Sequence, residues 1–298
     1  MRVLVSGASG LIGSAVVAEL NLSGHQVTTL GRSSDPANNS VTWNVETKAG
    51  SLKSIDGLDA VIHLAGESIG NKRWSQEQKK KITDSRLAGT EFLIELLGEA
   101  GLKPEAFISA SAIGYYGDRG NQLLDESSPK GEGFLADLVA KWEDKAQKAS
   151  DLGARVVTLR TGVVLSSYGG ALSKQLPLFK YGLGAALGSG KQYLSWIHLE
   201  DEVRAILLAL DNQKISGAVN LVSEHPVTNL EFSKAIAKVL NRPMLLKVPK
   251  PVIELGLGKE FADELLLASQ RVVPKVLSQS GFEFQFNQLE NALSDLLR

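Results

Sequence analysis

Short apolar runs alternate with longer amphipathic stretches along the first half of the chain. The apolar runs predict β-strands at Val3–Val5, Val27–Leu30, Val41–Trp43, Ala60–His63, Ala106–Ser109 and Val156–Leu159. The amphipathic stretches predict helices at Leu11–Leu22, Ser75–Ala100 and Gly133–Leu152. Because strands separated by helices need crossover connections, this pattern predicts an α/β fold with a Rossmann-like, doubly wound parallel sheet.

The pattern changes after Thr161, where a glycine-rich and weakly periodic segment begins. It is followed by a predicted helix from about Glu200 to Leu210 and a strand at Ala218–Val222, and Thr228 and Glu231 have the spacing of a capping box. We predict a first domain that consists of residues 1–165, and we expect the later segment 199–222 to belong to the same domain. A smaller C-terminal α/β region, 166–198 and 223–298, packs on it, and ligands of open parallel sheets bind in such crevices.

Composition excludes several classes of function. The 298 residues include 32 basic and 33 acidic side chains, so no net charge favours nucleic acid or an anionic membrane as a partner. There is no cysteine, which excludes disulfides, thiolate metal sites and a cysteine nucleophile. The four histidines are scattered, so we predict no metal site. No apolar run is long enough to span a bilayer, and we expect a cytoplasmic protein whose partner is a small molecule.

Three glycines, Gly7, Gly10 and Gly13, stand between the first strand and the first helix in the segment GASGLIG. Glycine permits the tight turn, lets the backbone approach a pyrophosphate, and lets the helix pack closely on the strand. The helix N-terminus then offers free N–H groups to the phosphates. A plain structural turn is the alternative, but the position inside a βαβ unit favours dinucleotide binding.

The end of the second strand indicates which dinucleotide is bound. NAD sites use an acidic residue there, whereas an arginine accommodates the extra phosphate of NADP. This chain has Gly31, Arg32 and Ser33, with Ser34 next and no carboxylate before Asp35. We therefore predict NADP (NADPH) as the cofactor of the first domain, with NAD less favoured. A solvated surface arginine is the alternative interpretation of Arg32.

These segments, read together with HLAGE at 63–67 and SASAIGYYG at 109–117, resemble the extended short-chain dehydrogenase/reductase superfamily. The similarity continues through RTGVVL at 160–165 and SWIHLEDEVRAIL at 195–207, and so covers nearly the whole chain. HLAGESI, SRLAGT, SAIGYYGDRG and GSGKQYLSWIH are similar to one atypical subgroup, the "epimerase family protein" group. Members of that subgroup are also described as nucleoside-diphosphate-sugar epimerases and, in places, as cell division inhibitors.

The resemblance implies a serine that polarises the substrate oxygen, followed by a Tyr-x-x-x-Lys pair on the next helix. Ser111 matches the serine. The helix segment GEGFLADLVAKWEDKA places Leu135 and Val139, or Phe134 and Leu138, at the positions expected for the pair. None of these side chains carries a transferable proton, so the proton carrier must come from elsewhere.

Tyr115 and Tyr116 lie just beyond Ser111, and either phenol could replace the missing one. A phenol has an ordinary pKa of about 10, which must fall for it to act as a base at neutral pH. Arg119 and Lys141 are the expected neighbours that would lower it. The alternative is that both tyrosines only wall the pocket.

Further residues are expected around the ligands. Arg86 reaches the cofactor or forms an ion pair at the edge of the core, and Glu67 lies near the ribose or caps a helix. The remaining predicted cofactor contacts are Ser9, Leu11, Ile12, His63, Leu64, Ala65, Gly66, Ser109, Thr161 and Gly162. The predicted substrate contacts are Arg73, Trp74, Gln192 and Trp196.

The leading hypothesis is an NADP-dependent oxidoreductase or isomerase that transfers a hydride at a carbinol or carbonyl carbon, as in nucleotide-sugar epimerases. The resemblance implies a nucleotide sugar as the substrate. A catalytically silent NADP-binding sensor or interaction protein is the rival hypothesis, because the Tyr-x-x-x-Lys pair is missing.

Overall fold

The structure, a computed structural model, describes residues 1–33 and 39–298. Its strands are β1 Arg2–Ser6, β2 Gln26–Gly31, β3 Ser40–Asn44, β4 Ala49–Gly50, β5 Ala60–His63, β6 Ala106–Ala112, β7 Leu123–Leu124, β8 Arg155–Thr161, β9 Val163–Leu165, β10 Ala185–Leu187, β11 Tyr193–Leu194, β12 Trp196–His198, β13 Gly217–Leu221, β14 Val227–Thr228, β15 Leu246–Val248 and β16 Arg271–Val272. Its α-helices are α1 Leu11–Leu22, α2 Gln76–Glu99, α3 Phe134–Gln147, α4 Gly170–Lys180, α5 Leu199–Asp211, α6 Asn229–Val239, α7 Lys250–Leu257, α8 Lys259–Phe261, α9 Lys275–Gln279 and α10 Leu289–Leu297. Short 3₁₀ helices cover Ile113–Tyr116 and Lys148–Leu152, and a π-helical turn covers Ala262–Leu266.

An eight-stranded sheet forms the centre of the molecule, in the order β13-β8-β6-β5-β1-β2-β3-β4. All neighbouring strands in it are parallel except β3 and β4, which pair antiparallel. The strand order reverses beside β1, where β2 lies on one side and β5 on the other. The predicted α/β class and the doubly wound parallel sheet are therefore confirmed.

Both faces of the sheet are buried, which is why its strands read as continuous apolar runs. Along β1, Val3 and Val5 belong to one core cluster and Leu4 to the other. The first cluster includes apolar residues of α1 and α5, and the second includes those of α2. The helices on the two faces thus cover alternate side chains of the same strands.

The predicted helix boundaries agree closely with the structure. Helix α1 spans Leu11–Leu22, and α2 begins after Ser75, whose hydroxyl accepts a hydrogen bond from the backbone N–H of Gln78. Helix α3 ends at Gln147 and continues as the 3₁₀ helix to Leu152. The capping box of Thr228 and Glu231 at the start of α6 is also confirmed.

A third core cluster lies outside the sheet, between α4, α6, α10 and the short strands β9 and β12. Trp196 and Phe232 are its largest fully buried side chains. None of the helices in the described parts of the chain is long and apolar enough to cross a membrane.

The carboxyl ends of β1, β5, β6 and β8 meet at one edge of the sheet. Ser6 pairs in register with His63, and His63 with Ser109. Further along β6, Ser111 pairs with Arg160 of β8. Polar side chains that are distant in sequence therefore converge at this edge, where ligands of open α/β sheets bind.

Candidate functional site

The turn between β1 and α1 brings the backbone of Gly7 against the residues that follow β5. Gly7 has a φ of +73°, and a Cβ atom on it would lie 2.6 Å from the carbonyl carbon of Leu64. A Cβ atom on Gly13 would lie 2.1 Å from the carbonyl oxygen of Gly7. Both positions therefore require glycine, because a side chain at Gly7 would collide with the segment that follows β5 and a side chain at Gly13 would push α1 away from the turn.

The N-terminus of α1 lies above this turn and is partly open to solvent. Ser9 and the N-cap residue Gly10 are exposed, while Leu11 and Ile12 are half-buried. The cap supplies no side-chain hydrogen bond, and the first turn of the helix, all of it described, holds no acidic residue. Its free N–H groups and its positive dipole end are thus left for an anion, as a pyrophosphate site needs.

Arg32 and Ser33 are exposed directly after Gly31, the last residue of β2. Arg32 makes no ion pair with any described residue, so its guanidinium is free to bind a phosphate. Ser34 and Asp35, which follow it in the sequence, lie outside the described residues.

The side chain of His63 lies in the core and does not reach the cleft. Its Nδ1 atom is 2.6 Å from Ser6 Oγ, and its Nε2 atom is 3.0 Å from Thr90 Oγ1. Burial lowers the pKa of His63 to about 4, so the ring is neutral at physiological pH. Any contact of His63 with a cofactor is therefore limited to its backbone, which leads into the half-buried Leu64 and Ala65.

Glu67 and Arg86 are held together at the end of this segment. The Glu67 carboxylate accepts a hydrogen bond from Gln78 Nε2 at 3.2 Å, and its backbone N–H donates to Ser85 Oγ at 2.9 Å. Arg86 Nη1 donates to the carbonyl oxygen of Glu67 at 2.9 Å, and its guanidinium approaches Gly66. Arg86 forms no ion pair with the described residues, so the ion-pair interpretation of this residue is wrong.

Ser111 is part of a buried polar network beneath the cleft. Its hydroxyl donates to Glu143 Oε1 at 2.6 Å. Arg160 binds both oxygens of the same carboxylate, from Nε and Nη2, each at 2.8 Å. Burial works against the charge on Arg160, but Glu143 offsets it and raises the pKa of the guanidinium above its ordinary value. The proton of Ser111 is committed to Glu143 in this arrangement and is not offered to a substrate.

The two tyrosines have opposite environments. Tyr116 has no exposed surface, and its hydroxyl donates to Asn220 Oδ1 at 2.7 Å and accepts from Arg160 Nη1 at 3.0 Å. Burial raises the pKa of Tyr116 to about 12, although Arg160 acts in the opposite direction. Tyr116 as a proton carrier is therefore a wrong prediction, because its phenol is enclosed and its hydrogen bonds are occupied. Tyr115 is half-buried, and the Arg160 guanidinium stacks 3.5 Å from the centre of its ring.

The basic residue beside the tyrosines is Arg160, and the expected neighbours lie elsewhere. Arg119 donates from Nε to Gln122 Oε1 at 3.2 Å, and Lys141 is exposed. The prediction that Arg119 or Lys141 acts on these phenols is wrong. The available signal was an arginine near the carboxyl end of a β-strand, since the residues of β8 between Arg155 and Arg160 are apolar or hydroxylic.

The 3₁₀ helix Ile113–Tyr116 is called the tyrosine turn below, and the face of α3 that meets it is apolar. Leu135 and Val139 are both buried, and they are the side chains nearest to a Cβ atom built on Gly114. They are one of the two sets of positions that the family resemblance implies for the Tyr-x-x-x-Lys pair, the other being Phe134 and Leu138. The side chains of Leu135 and Val139 pack against the turn and offer no proton.

Trp74 is a packing residue at the edge of the cleft. Its ring meets the edges of Phe134 and Phe261 at centroid distances of 5.4 and 5.3 Å, and its Nε1–H donates to the carbonyl oxygen of Ile69 at 2.9 Å. These contacts fix the half-buried ring within the protein, and the substrate contact of Trp74 stays a prediction. Arg73 beside it is exposed.

Trp196 and Gln192 belong to the core of the second region. The Trp196 ring has no exposed surface, and its Nε1–H donates to the carbonyl oxygen of His225. Gln192 is 9% exposed and donates to the carbonyl oxygen of Leu187. Both side chains are buried with internal hydrogen bonds, so the structure gives no support for the predicted substrate contacts of Trp196 and Gln192, which stay predictions.

Three other predicted cofactor contacts, Thr161, Ser109 and Gly162, have structural roles within the protein. Thr161 donates to Glu202 Oε1 at 2.8 Å, and Ser109 is fully buried. A Cβ atom on Gly162 would lie 2.6 Å from the carbonyl oxygen of Ser195, so glycine is needed there for packing. If these three residues contact a cofactor as predicted, their backbone atoms make the contact.

A cavity of about 310 Å³ opens beside the tyrosine turn. One wall comes from the segments around the 3₁₀ turn and the start of α3, and the other comes from residues 250–270. It is lined by Gly114, Gly117, Asp118, Glu132, Leu135, Ala136, Lys250, Asp263, Glu264, Leu267, Ala268 and Gln270. Four of these residues are acidic and one is basic.

Glu264 makes a capping contact with α3 that the sequence did not predict. Its two carboxylate oxygens accept hydrogen bonds from the backbone N–H groups of Phe134 and Leu135, at 3.0 and 2.8 Å. A residue of the C-terminal region thus caps the helix that borders the cavity. The 130 residues between the partners in sequence left no local signal for this contact.

Comparisons with known proteins agree with this architecture. Residues 3–221 match the NAD dependent epimerase/dehydratase family, and residues 248–296 match a domain of unknown function, DUF1731. Epimerase family protein ML0860 of Mycobacterium leprae is 44% identical over 292 residues, which are 98% of this chain and 94% of that protein.

Solved structures extend the comparison. The crystal structure of human epimerase family protein SDR39U1 with NADPH has a TM-score of 0.91 and 34% identity, and the match covers 99% of each chain. UDP-N-acetylglucosamine 4-epimerase from Bacillus cereus has a TM-score of 0.76 and 19% identity, covering 99% of this chain and 98% of that one, and it supports the fold alone. The chain belongs to the NAD dependent epimerase/dehydratase family, within the extended short-chain dehydrogenase/reductase fold, and resembles in particular its members called epimerase family proteins.

Proposed function

We propose that this protein binds NADP(H) along the edge of the sheet formed by β2, β1 and β5. The observation that carries the proposal is the glycine turn, where Gly7 and Gly13 leave no room for a side chain below an uncapped helix N-terminus. Arg32 supplies a guanidinium that pairs with none of the described residues at the end of the neighbouring strand, where a 2′-phosphate needs one. The human relative that was crystallised with NADPH supports the same assignment.

When bound, NADP(H) supplies or accepts a hydride at a carbinol or carbonyl carbon. In the direction of reduction, the carbonyl carbon gains the hydride and the oxygen must gain a proton. We infer that Tyr115 donates this proton, because it is half-buried between Gly114 and Gly117, which line the cavity, whereas the Tyr116 hydroxyl is enclosed. Arg160 holds the Tyr115 ring by stacking, and Glu143 fixes Arg160 in turn.

The substrate would occupy the cavity between α3 and residues 250–270. Its carboxylates come from Asp118, Glu132, Asp263 and Glu264, and its one lysine, Lys250, is paired with Asp263 at 2.6 Å. A diphosphate would be repelled by this set of charges. We therefore propose a small alcohol or carbonyl compound without phosphate groups, in preference to the nucleotide sugar that the sequence resemblance implies.

A second candidate is a protein that binds NADP(H) without turning it over. Two observations favour this second candidate. The Ser111 hydroxyl donates its proton to Glu143, and the face of α3 that meets the turn is apolar. In that case the polar network beneath the cleft is structural.

The proposal is tested by incubating the protein with NADPH and each member of a panel of compounds. The panel contains neutral carbonyl compounds, carbonyl compounds that carry an amine, and nucleotide sugars. The absorbance of NADPH reports its oxidation. We expect turnover of one or more neutral or cationic compounds. Tyr115→Phe should lower it by about 10²–10⁴-fold, since a positioned proton carrier contributes that much, and should leave NADPH affinity unchanged.

Tyr116→Phe is the matched control, because it removes the other phenol of the pair. We expect it to lower thermal stability and to retain turnover. Full activity of Tyr115→Phe would contradict the proposed proton carrier. NADPH binding with no oxidation across the whole panel would support the silent binding protein.

A further inference from the structure

Exposed apolar side chains are concentrated in the C-terminal part of the chain. Eight of the twelve large apolar side chains that are exposed in the described residues lie within 178–183 and 245–257. Tyr181 and Leu245 are 83% and 89% exposed, so their side chains project into solvent. Single residues of this kind are ordinary on a protein surface, whereas a cluster of them marks a contact site.

Five of these side chains, which we call the apolar tip, belong to two segments of the chain. The tip consists of Leu178, Tyr181, Leu183, Leu245 and Leu246. Its first segment lies at the end of α4, where the backbone N–H of Leu183 donates to the carbonyl oxygen of Leu178 at 2.8 Å. This hydrogen bond closes the turn that contains Tyr181.

The fold holds the second segment of the tip beside the first. Strands β10 and β15 pair in parallel, with Ala185 opposite Leu246. A Cβ atom on Gly182 would lie 3.6 Å from the ring of Pro243. The residues that lead into these two strands, which carry the tip, therefore lie next to each other.

The charge around the apolar tip is positive, although the chain as a whole has a net charge of −1. Residues 166–199 and 232–253 contain seven lysines and one arginine, and no aspartate or glutamate. Lys180, Arg242 and Lys247 are exposed within three residues of the tip, and none of them forms an ion pair with a described residue. The balanced net charge therefore conceals a local cationic surface.

We propose that the apolar tip and its three cations bind the surface of an anionic lipid bilayer. Apolar side chains insert at the boundary between headgroups and acyl chains, while lysine and arginine contact the anionic headgroups. Tyrosine suits this boundary, because its ring is apolar and its hydroxyl reaches water. The high exposure of Tyr181 and Leu245 favours a bilayer over a folded protein partner, because a protein needs a pocket shaped to receive protruding side chains and a bilayer does not.

Co-sedimentation of the full chain with vesicles tests the proposal. One set of vesicles contains phosphatidylcholine and phosphatidylglycerol in equal parts, and the other contains phosphatidylcholine alone. We expect binding to the anionic vesicles to be about 100-fold tighter, since each of three basic residues near an anionic surface contributes about fivefold. High salt should weaken this binding, because it screens the attraction between the cations and the headgroups.

A leucine variant tests the insertion of the tip. Leu245→Ser should weaken binding to the anionic vesicles by about 10-fold, because the inserted leucine side chain is lost. Leu22→Ser is the matched control, since Leu22 is an equally exposed leucine at the end of α1, and it should bind like the wild type.

A double lysine variant tests the contact with the headgroups. Lys180→Gln combined with Lys247→Gln should weaken binding to the anionic vesicles by about 25-fold. The same change at Lys53 and Lys103, two exposed lysines of the first domain, should leave binding unchanged. Every changed side chain is exposed, so each variant should keep the melting temperature of the wild type.

Three results would overturn the proposal: no binding to the anionic vesicles, equal binding to the neutral ones, or equal binding by the wild type and the tip variants. Sedimentation equilibrium covers a second copy of the chain as the occupant. A wild-type dimer that Leu245→Ser dissociates, without vesicle binding, would assign the tip to a contact between copies and would also overturn the proposal. None of these outcomes depends on whether the protein binds NADP(H).

Discussion

At the scale of single residues, the sheet edge is organised by buried polar side chains that satisfy each other. Ser111, Glu143, Arg160, Tyr116 and Asn220 form one continuous chain of hydrogen bonds. Such a network fixes each member in place when it is fully satisfied. Here the network occupies the hydroxyls of Ser111 and Tyr116, and its arginine stacks on the ring of the half-buried Tyr115.

Glu202 of α5 is a buried carboxyl that makes stability depend on pH. Burial raises the pKa of Glu202 to about 8, against the hydrogen bond from Thr161, and its Oε2 atom has no partner among the described residues. Between its ordinary pKa of 4.5 and about 8, the folded protein holds a proton that the unfolded chain has lost. The free energy of unfolding attributable to this group must therefore fall as pH rises through that window.

Glu202→Gln should remove this dependence, and the difference from the wild type should change by about 3 kcal/mol between pH 5 and 8. Urea unfolding at a series of pH values measures it. Glu200→Gln, an exposed carboxyl on the same helix, is the control and should leave the slope unchanged. His63 acts with the opposite sign between pH 4 and 6.5, but it is present in every protein compared. Parallel curves for Glu202→Gln and the wild type would contradict the assignment.

The sequence predicted the role of a residue where the local backbone conformation requires that residue type. Gly7 and Gly13 follow from the turn that joins a strand to a helix. The burial of Trp196 and Tyr116 could not be predicted, because it depends on partners such as His225 and Asn220 that lie far along the chain. Local sequence around a tryptophan or a tyrosine is the same whether its ring faces a ligand or the core.

At the scale of elements, helix α1 depends on one close contact with the turn before it. Gly13→Ala would place a Cβ atom 2.1 Å from the carbonyl oxygen of Gly7. The helix must then shift, and we expect a loss of about 3 kcal/mol or more in the free energy of unfolding, with loss of cofactor binding.

Gly98→Ala is the matched control for this prediction, because Gly98 is also helical but its Cβ atom would meet only Leu152, at an ordinary 3.8 Å. We expect this variant to be as stable as the wild type or up to about 1 kcal/mol more stable. Urea unfolding of the two variants distinguishes steric conflict from a general effect of replacing glycine. Equal stabilities would contradict the close packing of α1.

Helices and strands could be predicted where the spacing of apolar residues follows one period without interruption. α1 and α2 match their predicted spans to within one residue at each end. The two-residue strands were not predictable: β16 pairs with β7 across about 150 residues, and such short runs have no period of their own. The second wall of the cavity therefore became visible only in the structure.

At the scale of the whole molecule, the C-terminal region completes the site by attaching to helices of the sheet domain. Glu264 caps α3, Glu260 pairs with Lys79 of α2 at 2.8 Å, and Phe261 packs on Trp74. Residues 248–296, which match DUF1731, thus contact both α2 and α3 of the sheet domain and form one wall of the cavity.

Glu264→Ala should lower the free energy of unfolding by about 1–2 kcal/mol, because two backbone N–H groups at the start of α3 lose their acceptor. Glu264→Gln keeps one acceptor oxygen and should lose less. Thermal unfolding measures both, with Glu99→Ala at the exposed end of α2 as the control. A melting temperature for Glu264→Ala equal to that of the control would contradict the docking role.

The central claim is that NADP(H) binds across the glycine turn with Arg32 on its 2′-phosphate, and calorimetry tests it most directly. Ligand-free protein is titrated with NADPH and, separately, with NADH. We predict saturable heat with NADPH, weaker binding of NADH, and loss of the difference between them in Arg32→Ala. Absence of heat with both coenzymes, or equal affinities in the wild type, would contradict the account.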